Sequence, residues 1–384
     1  MNQPPFLPYG RQWIDDDDVA AVVRTLRSDY LTTGPETAAF EKELAAVCGA
    51  QHAVAVANGT AALHCAYAAA GVGPGVEVVT TPLTFSATSN MVVAMGGRPV
   101  FADIDPETLC LDPRKAEAAL TPATRVLAPV DFAGHPAALD PLMELAARKG
   151  LIVVEDAAHA IGARYRGRPI GSVAHLTTFS FHPVKTITTG EGGAVVTNDA
   201  ALAQRARDFR NHGLIRDDAR LLDPGAPTTW YYEIQSLGLN YRIPDILCAL
   251  GRSQLRKLER FVNRRREIVA RYRQGLSGVD GIEIGVEADD VQAAWHLFAI
   301  QLRGGRPARD ALHLALRQQG IGTQVHYIPV NSFPFYRQLG FDPAATPIAS
   351  GVSERILSLP LFPAMSDEDV ERVVGAVRSV MRAL

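Results

Sequence analysis

The sequence predicts an α/β fold, a mixed and mainly parallel sheet followed by a smaller C-terminal α+β domain. Three observations predict it. Between about residues 50 and 200, short β-branched runs alternate with longer amphipathic stretches, the pattern of strands joined by crossover helices. Several of those runs are apolar on both faces, as strands covered on both sides by helices must be. After about residue 245 the texture changes to long, highly charged helical segments, so the expected boundary divides residues 1–245 from 246–384.

Taken in order, AVAVA (53–57), VEVVT (76–80), PVFAD (99–103), RVLAPV (125–130) and LIVVE (151–155) read as strands. Between them TAALHCAYAAAG, TFSATSNMVVAMGG and DPLMELAARKG read as helices, each ending at Gly, the residue that best tolerates a left-handed cap. LTTFSF (176–181) and GAVVT (193–197) follow each other closely and predict a hairpin-like addition. Residues 214–236, polar, aromatic and interrupted by Gly and Pro, predict an irregular loop. One long charged helix is expected over 252–274. It leads to the apolar WHLFAIQL, a helix over about 307–319, a strand-like IGTQVHYIPV and a terminal helix over about 366–382.

At 384 residues the chain can form two or three domains, or one large domain with an appendage. Its 47% apolar and 21% charged residues exclude a largely disordered protein. A formal charge of −3 gives no global attraction to nucleic acid or to an anionic membrane. No apolar run reaches membrane-spanning length, and MNQPPFLPYGRQWIDDDD has neither a basic leader nor an apolar signal core. A cytoplasmic protein without a membrane partner is expected. Cys48, Cys65, Cys110 and Cys248 form no CxxC pair and no Cys/His cluster, which predicts buried thiols and no metal site.

Two common nucleotide motifs are excluded. GVGPG (71–75) follows a helix and precedes a strand, the reverse of a dinucleotide fingerprint, and reads as a turn; no GxxxxGK[ST] sequence is present. ANGTAAL (57–63) places the N–H groups of Thr60 and Ala61 at a helix N-terminus. That arrangement serves either as an ordinary cap or as a phosphate cradle. VVEDAAHA (153–160) ends an apolar strand on Glu155 and Asp156 and presents His159 three residues on. This is either a helix cap with a packed histidine or a carboxylate holding a cation at the ligand-binding edge of the sheet.

SFHPVKTITTGEGGAVVT (180–197) is the most informative segment. The chain has only five Lys, at 42, 115, 149, 185 and 257, against 33 Arg. Four of the five lie in charged helical settings where a solvated lysine is the default. Lys185 instead follows an aromatic strand and has no acidic sequence neighbour closer than Glu191. A desolvated lysine becomes a neutral amine able to form a Schiff base, and Ser180 can offer a hydroxyl to a phosphate.

A phosphate cradle, a sheet-edge Asp and then a loop Lys occur in the order of fold-type I pyridoxal phosphate enzymes. The chain resembles the DegT/StrS family of sugar-nucleotide aminotransferases over nearly its full length, from LTTGPETAAFEKELA through LGLNYRIPDILCALG to VHYIPV. Within that family SFHPVKTITTGEGG and HYIPV look most like the aminotransferases of pseudaminic acid synthesis. The resemblance implies that Lys185 forms the Schiff base with pyridoxal 5'-phosphate and moves the proton between substrate and cofactor carbons. It implies that Asp156 pairs with the pyridine nitrogen, His159 lies beside the phenolic oxygen, and Phe85 stacks on the ring. Thr60, Ala61 and Ser180 would hold the phosphate, with Asn240 reaching it from the neighbouring subunit of a homodimer. Arg242, His326 and Tyr327 fall in segments that face the substrate in related enzymes, where each could equally be structural.

The reaction so implied is ping-pong transfer of an amino group from L-glutamate to the 4-keto carbon of a UDP-linked deoxysugar. Two alternatives remain at this stage. One is action on another nucleotide-linked keto sugar, a UDP-4-keto-pentose or GDP-4-keto-6-deoxymannose. The other is a non-catalytic sensor that binds the cofactor.

Overall fold

The computed structural model describes residues 5–223 and 229–384. Residues 1–4 and 224–228, the latter part of the expected 214–236 loop, lie outside the described residues.

Seven strands form the main sheet: β1 (His52–Val56), β2 (Glu77–Thr80), β3 (Arg98–Phe101), β4 (Thr124–Ala128), β5 (Ile152–Asp156), β6 (Leu176–Ser180) and β7 (Gly193–Thr197). Their spatial order is β1-β7-β6-β5-β4-β2-β3. The pairs from β6 to β3 are parallel, whereas β7 runs antiparallel to both of its neighbours. The expected hairpin is therefore present, but inside the sheet rather than appended to it. Val54, Val126, Val154 and Val195 pack on one face, and Ala55, Leu127, Val153 and Val196 on the other. Burial on both faces is why the strands read as unbroken apolar runs.

The helix Gly59–Ala69 follows β1, Ala87–Ala94 follows β2 and Leu139–Lys149 follows β4, as their sequence patterns indicate. Asn58 caps the first of these through Oδ1. Gly150 closes the third at φ 66°, where a side chain would be strained. GVGPG lies in the turn between Gly59–Ala69 and β2. Ahead of the sheet, Pro35–Cys48 starts on Asp245, whose buried carboxylate accepts from the N–H groups of Gly34 and Glu36 and from the Thr37 hydroxyl. All four cysteines are buried and free.

Three expectations need correction. The single helix over 252–274 is two helices, Asp245–Leu255 and Leu258–Leu276. They part at Arg256–Lys257, where the Lys257 ammonium is drawn to Asp15 and Asp18 of the N-terminal helix Asp16–Leu26 and Gln254 donates to Asp18 at 2.7 Å. The IGTQVHYIPV segment forms no strand, only single bridges at Ile321 to Leu7 and at Gln324 to Ser358. The smaller antiparallel sheet consists instead of β8 (Ile282–Ile284), β9 (Phe298–Leu302) and β10 (Ile356–Leu359) in the order β8-β9-β10. Finally, the 214–236 loop contains a short ladder, Leu214–Ile215 against Glu233–Ile234.

The terminal helix Asp367–Ala383 and the helix Gly305–Gln318 match their expected positions. Leu7 exchanges backbone hydrogen bonds with Gly320 and Gly322, and the Tyr9 carbonyl accepts from Leu361 N–H, so the N-terminal segment lies on the C-terminal part of the chain. Among the described residues no helix is long and apolar enough to cross a membrane.

Candidate active site

The parallel strands deliver their C-terminal ends to one edge, where open α/β sheets bind ligands. Asn58–Thr60 follow β1, Thr84–Thr88 follow β2 and Asp131 follows β4. Asp156 ends β5, Ser180 ends β6, and Lys185 lies on the connection from β6 to β7.

Register brings the pieces together. Gly193 pairs with both Val56 and Ser180, which draws the turn after β1 against the end of β6. A Cβ at Gly59 would stand 2.8 Å from the Ser180 Cβ, and one at Gly193 would stand 2.4 Å from the Asn58 carbonyl oxygen. Only glycine permits both approaches. Thr60 and Ser180 thus flank a helix N-terminus with hydroxyls that bond to no other described residue. The Ala61 N–H is taken by Asn58 Oδ1 at 2.8 Å.

Asp156 is buried at 5% exposure. Its Oδ2 accepts from Thr88 Oγ1 at 2.7 Å and its Oδ1 from Ala158 N–H at 3.2 Å. Burial raises the affinity of this carboxyl for a proton, while those donors and the nearby Lys185 charge oppose the rise. The Lys185 ammonium makes no hydrogen bond or ion pair with a described residue. Burial pushes its ammonium from the usual 10.5 down to about 8; Asp156 resists that change and Arg265 adds to it. Far more of Lys185 than of an ordinary lysine is therefore neutral amine near neutral pH, about a tenth at pH 7, as a nucleophile requires.

An aromatic group covers this edge. Phe85 is 62% exposed although it sits beside buried residues, and its ring lies 6.4 Å from that of Tyr327. The Tyr327 hydroxyl hydrogen-bonds to His159 Nε2 at 3.1 Å. The His159 ring packs 4.4 Å from His296, and His326 Nδ1 bonds to Ser358 Oγ at 2.9 Å. Burial drives all three imidazoles to the neutral form, His326 down to about 3, and raises the Tyr327 hydroxyl.

Lys185, Asp156, His159, Phe85, His326 and Tyr327 therefore share one edge with Thr60, Ala61 and Ser180. The backbone of Arg242 bridges Val56 at the end of β1, beside that edge, but the side chains of Asn240 and Arg242 make no hydrogen bond to these residues. Asn240 is exposed and pairs through its backbone with Asn211, and Arg242 Nη1 donates to Asn211 Oδ1 at 2.6 Å.

The sequence reading missed Thr88, Tyr9, His296 and Arg265. Tyr9 packs its ring 5.5 Å from His326. Arg265 is wholly buried and has no carboxylate partner. Its Nη1 donates to the carbonyls of Trp295, His296 and Leu361, and burial lowers it to about 9. Of these only Thr88, sixty-eight positions before Asp156 within TPLTFSAT, stood in a segment already under scrutiny.

These groups fit pyridoxal phosphate. The free hydroxyls at Gly59 suit its phosphate, the Asp156 carboxylate its ring nitrogen, Phe85 its ring face and the unpaired Lys185 its aldehyde. Among the described residues no cluster suits a metal ion.

The model of the DegT/DnrJ/EryC1/StrS aminotransferase family matches residues 12–378. The chain is 43% identical over 381 residues to the spore coat polysaccharide biosynthesis protein SpsC of Bacillus subtilis, covering 98% of this chain and 97% of that one. Among solved structures it superposes on the sugar aminotransferase Spr1654 of Streptococcus pneumoniae, described as putative, in its PLP form. The TM-score is 0.92 and the identity 30%, covering 98% of this chain and 99% of that one. PseC of Helicobacter pylori, an aminotransferase involved in pseudaminic acid biosynthesis, superposes with a TM-score of 0.92 at 29% identity, over 99% of this chain and all of that one. By that family model and these likenesses, the chain belongs to the DegT/DnrJ/EryC1/StrS family of pyridoxal phosphate-dependent sugar aminotransferases of fold type I.

Proposed function

We propose that the protein transfers an amino group from L-glutamate to the 4-keto carbon of a UDP-linked 2-acetamido-2,6-dideoxy sugar, in ping-pong order, as a homodimer with shared active sites. The observation that carries this reading is the placement of Lys185 and Asp156 at one sheet edge, with the unspent hydroxyls of Thr60 and Ser180 beside them. When bound, the cofactor supplies the electron sink that stabilises a carbanion. Asp156 keeps a proton on the ring nitrogen, and Thr88 and Ala158 hold its carboxylate in place. Lys185 Nζ attaches the cofactor and carries the proton between carbons. His159, kept neutral by burial, bonds through Nε2 to Tyr327, and its Nδ1, without a partner among the described residues, would serve the ring oxygen. Phe85 excludes water from one ring face.

Asn240 supports the shared site. It is exposed, and its side chain hydrogen-bonds to no described cradle residue of its own chain, as a residue serving a partner's phosphate would be. The likeness to PseC favours a UDP-linked acceptor in a pseudaminic-acid-type pathway. Arg242 is suited to a carboxylate or diphosphate, and Tyr327 faces the same edge as Lys185. The test is a coupled assay with L-glutamate over a panel of UDP- and GDP-linked 4-keto sugars. Turnover of the UDP-linked acetamido sugar above all others is expected. Preference for a pentose or a GDP-linked sugar would reassign the acceptor, and cofactor binding without turnover on any sugar would favour a sensor.

A further inference from the structure

Behind Asp156 lie two carboxyl groups that this reaction does not use. Asp131 and Glu155 are both fully buried, and neither has a cationic partner among the described residues. Asp131 Oδ1 accepts from Ala137 N–H at 2.8 Å, and Glu155 Oε2 accepts from Thr177 Oγ1 at 2.7 Å. Asp131 Oδ2 and Glu155 Oε1 have no hydrogen-bond partner among the described residues, and the two carboxyls are each other's electrostatic neighbours. Two ionised carboxylates could not satisfy those oxygens in each other, because an ionised carboxylate only accepts; a proton on one of them lets it donate to the other. Two bare negative charges side by side in a dry interior would also be prohibitively desolvated.

The pair is tied to Asp156 through the backbone. Glu155 is its neighbour on β5, Asp131 N–H donates to the Asp156 carbonyl at 3.0 Å, and Asp156 N–H donates to the Pro129 carbonyl at 2.8 Å. We propose that Asp131 and Glu155 form a proton-sharing acid pair that positions Asp156 and holds one fixed negative charge behind it. Burial raises both carboxyls, and each is raised further by the Asp156 charge. The other titratable groups facing the pair are thiols, Cys48 towards Glu155 and Cys110 towards Asp131, both held neutral by burial. Such coupling is mutual, so the charge on the pair strengthens the hold of Asp156 on the proton it shares with a ring nitrogen. Asp131 and Glu155 are positioning residues in this scheme, and their effect on the cofactor rests on the proposed role of Asp156.

The test begins with infrared spectroscopy of the holoenzyme at pH 7. A protonated carboxylic acid band that shifts on isotopic labelling of aspartate or of glutamate is expected in the wild type. Asp131→Asn should abolish it, since the amide donates to Glu155 as the acid did. Glu155→Gln should abolish it as well, by leaving Asp131 ionised, so either variant suffices if the other does not fold. A wild-type enzyme without the labelled band overturns the pair whatever the variants do. With the band present, the ring-nitrogen signal of bound, nitrogen-15-labelled pyridoxal phosphate reads the effect of the charge. In the double variant it should move towards the unprotonated ring, and an unmoved signal overturns the electrostatic role. A ring nitrogen already unprotonated in the wild type would instead overturn the reading of Asp156 itself.

Discussion

Thr88 Oγ1 donates a 2.7 Å hydrogen bond to Asp156 Oδ2, so a residue from the helix after β2 holds the carboxylate that ends β5. A donor to a buried charged acceptor is worth about 1.5–3 kcal/mol. Thr88→Val keeps the shape and removes the donor, and should lower the unfolding free energy of the apoprotein by about that amount. Thr88→Ser should cost much less. Urea denaturation of the two variants checks the difference.

The isolation of the Lys185 ammonium supports the proposal that it is the site of covalent attachment. Borohydride reduction of the yellow holoenzyme, followed by peptide mapping, should place the whole pyridoxyl label on the peptide containing Lys185. Label on Lys42, Lys115, Lys149 or Lys257 would refute the assignment.

The same lysine gives the apoprotein a pH signature. Its ammonium titrates near pH 8 when folded instead of at the usual 10.5, so between those values the unfolded chain binds a proton that the folded chain has released. Stability contributed by this group therefore rises with pH through that window, by at most about 3 kcal/mol. Lys185→Met lacks a group to titrate. The stability difference between wild type and variant should grow in favour of wild type from pH 8 to 10.5 and be flat below pH 7.

Asp156→Asn should retain cofactor, because the phosphate cradle is untouched, and lose about 10–100-fold in single-turnover rate with glutamate. That range corresponds to a charge-assisted bond worth about 1.5–3 kcal/mol. Near-normal conversion by this variant would remove Asp156 from the ring nitrogen.

Shared sites predict complementation between chains. Lys185→Ala and Asn240→Ala subunits, each inactive alone, should regain about a quarter of wild-type activity when mixed and allowed to exchange. Half of the dimers are then mixed, and each of those carries one intact site. No recovery, despite exchange shown by mass spectrometry, would place Asn240 in its own chain's site.

The main sheet and the chemical pair at its edge were legible because each announced itself locally. The apolar runs of β1, β2, β5 and β7 mark strands buried on both faces. Lys185 stood out against only four other lysines, and Asp156 sits where an apolar strand meets a charge. What escaped depended on contacts between distant segments. The break at Lys257 carries neither Gly nor Pro, and its cause lies about 240 residues earlier at Asp15 and Asp18. Thr88, Tyr9 and Arg265 meet the site only through folding, and nothing in their own neighbourhoods distinguishes them from core or surface residues. The strand β10 was hidden because ILSLP is too short for its alternation to be read, while the longer IGTQVHYIPV looked more like a strand than it is.

The reversal of β7 has a consequence for how the lysine can be moved. Because β7 returns beside β6, the intervening segment is a closed loop rather than a crossover beneath a helix. Its neck is clasped where Phe181 N–H meets the Gly192 carbonyl at 2.8 Å and Thr189 N–H returns to the Phe181 carbonyl at 3.0 Å. Residues added or removed beyond that clasp change the reach of Lys185 without shifting the register of any strand. Lengthening such a loop is inexpensive, about 0.6 kcal/mol for each doubling. Lys185 is thus mounted on a part of the site whose length can vary independently of the sheet, while Asp156, fixed in β5, remains the point against which that reach is set.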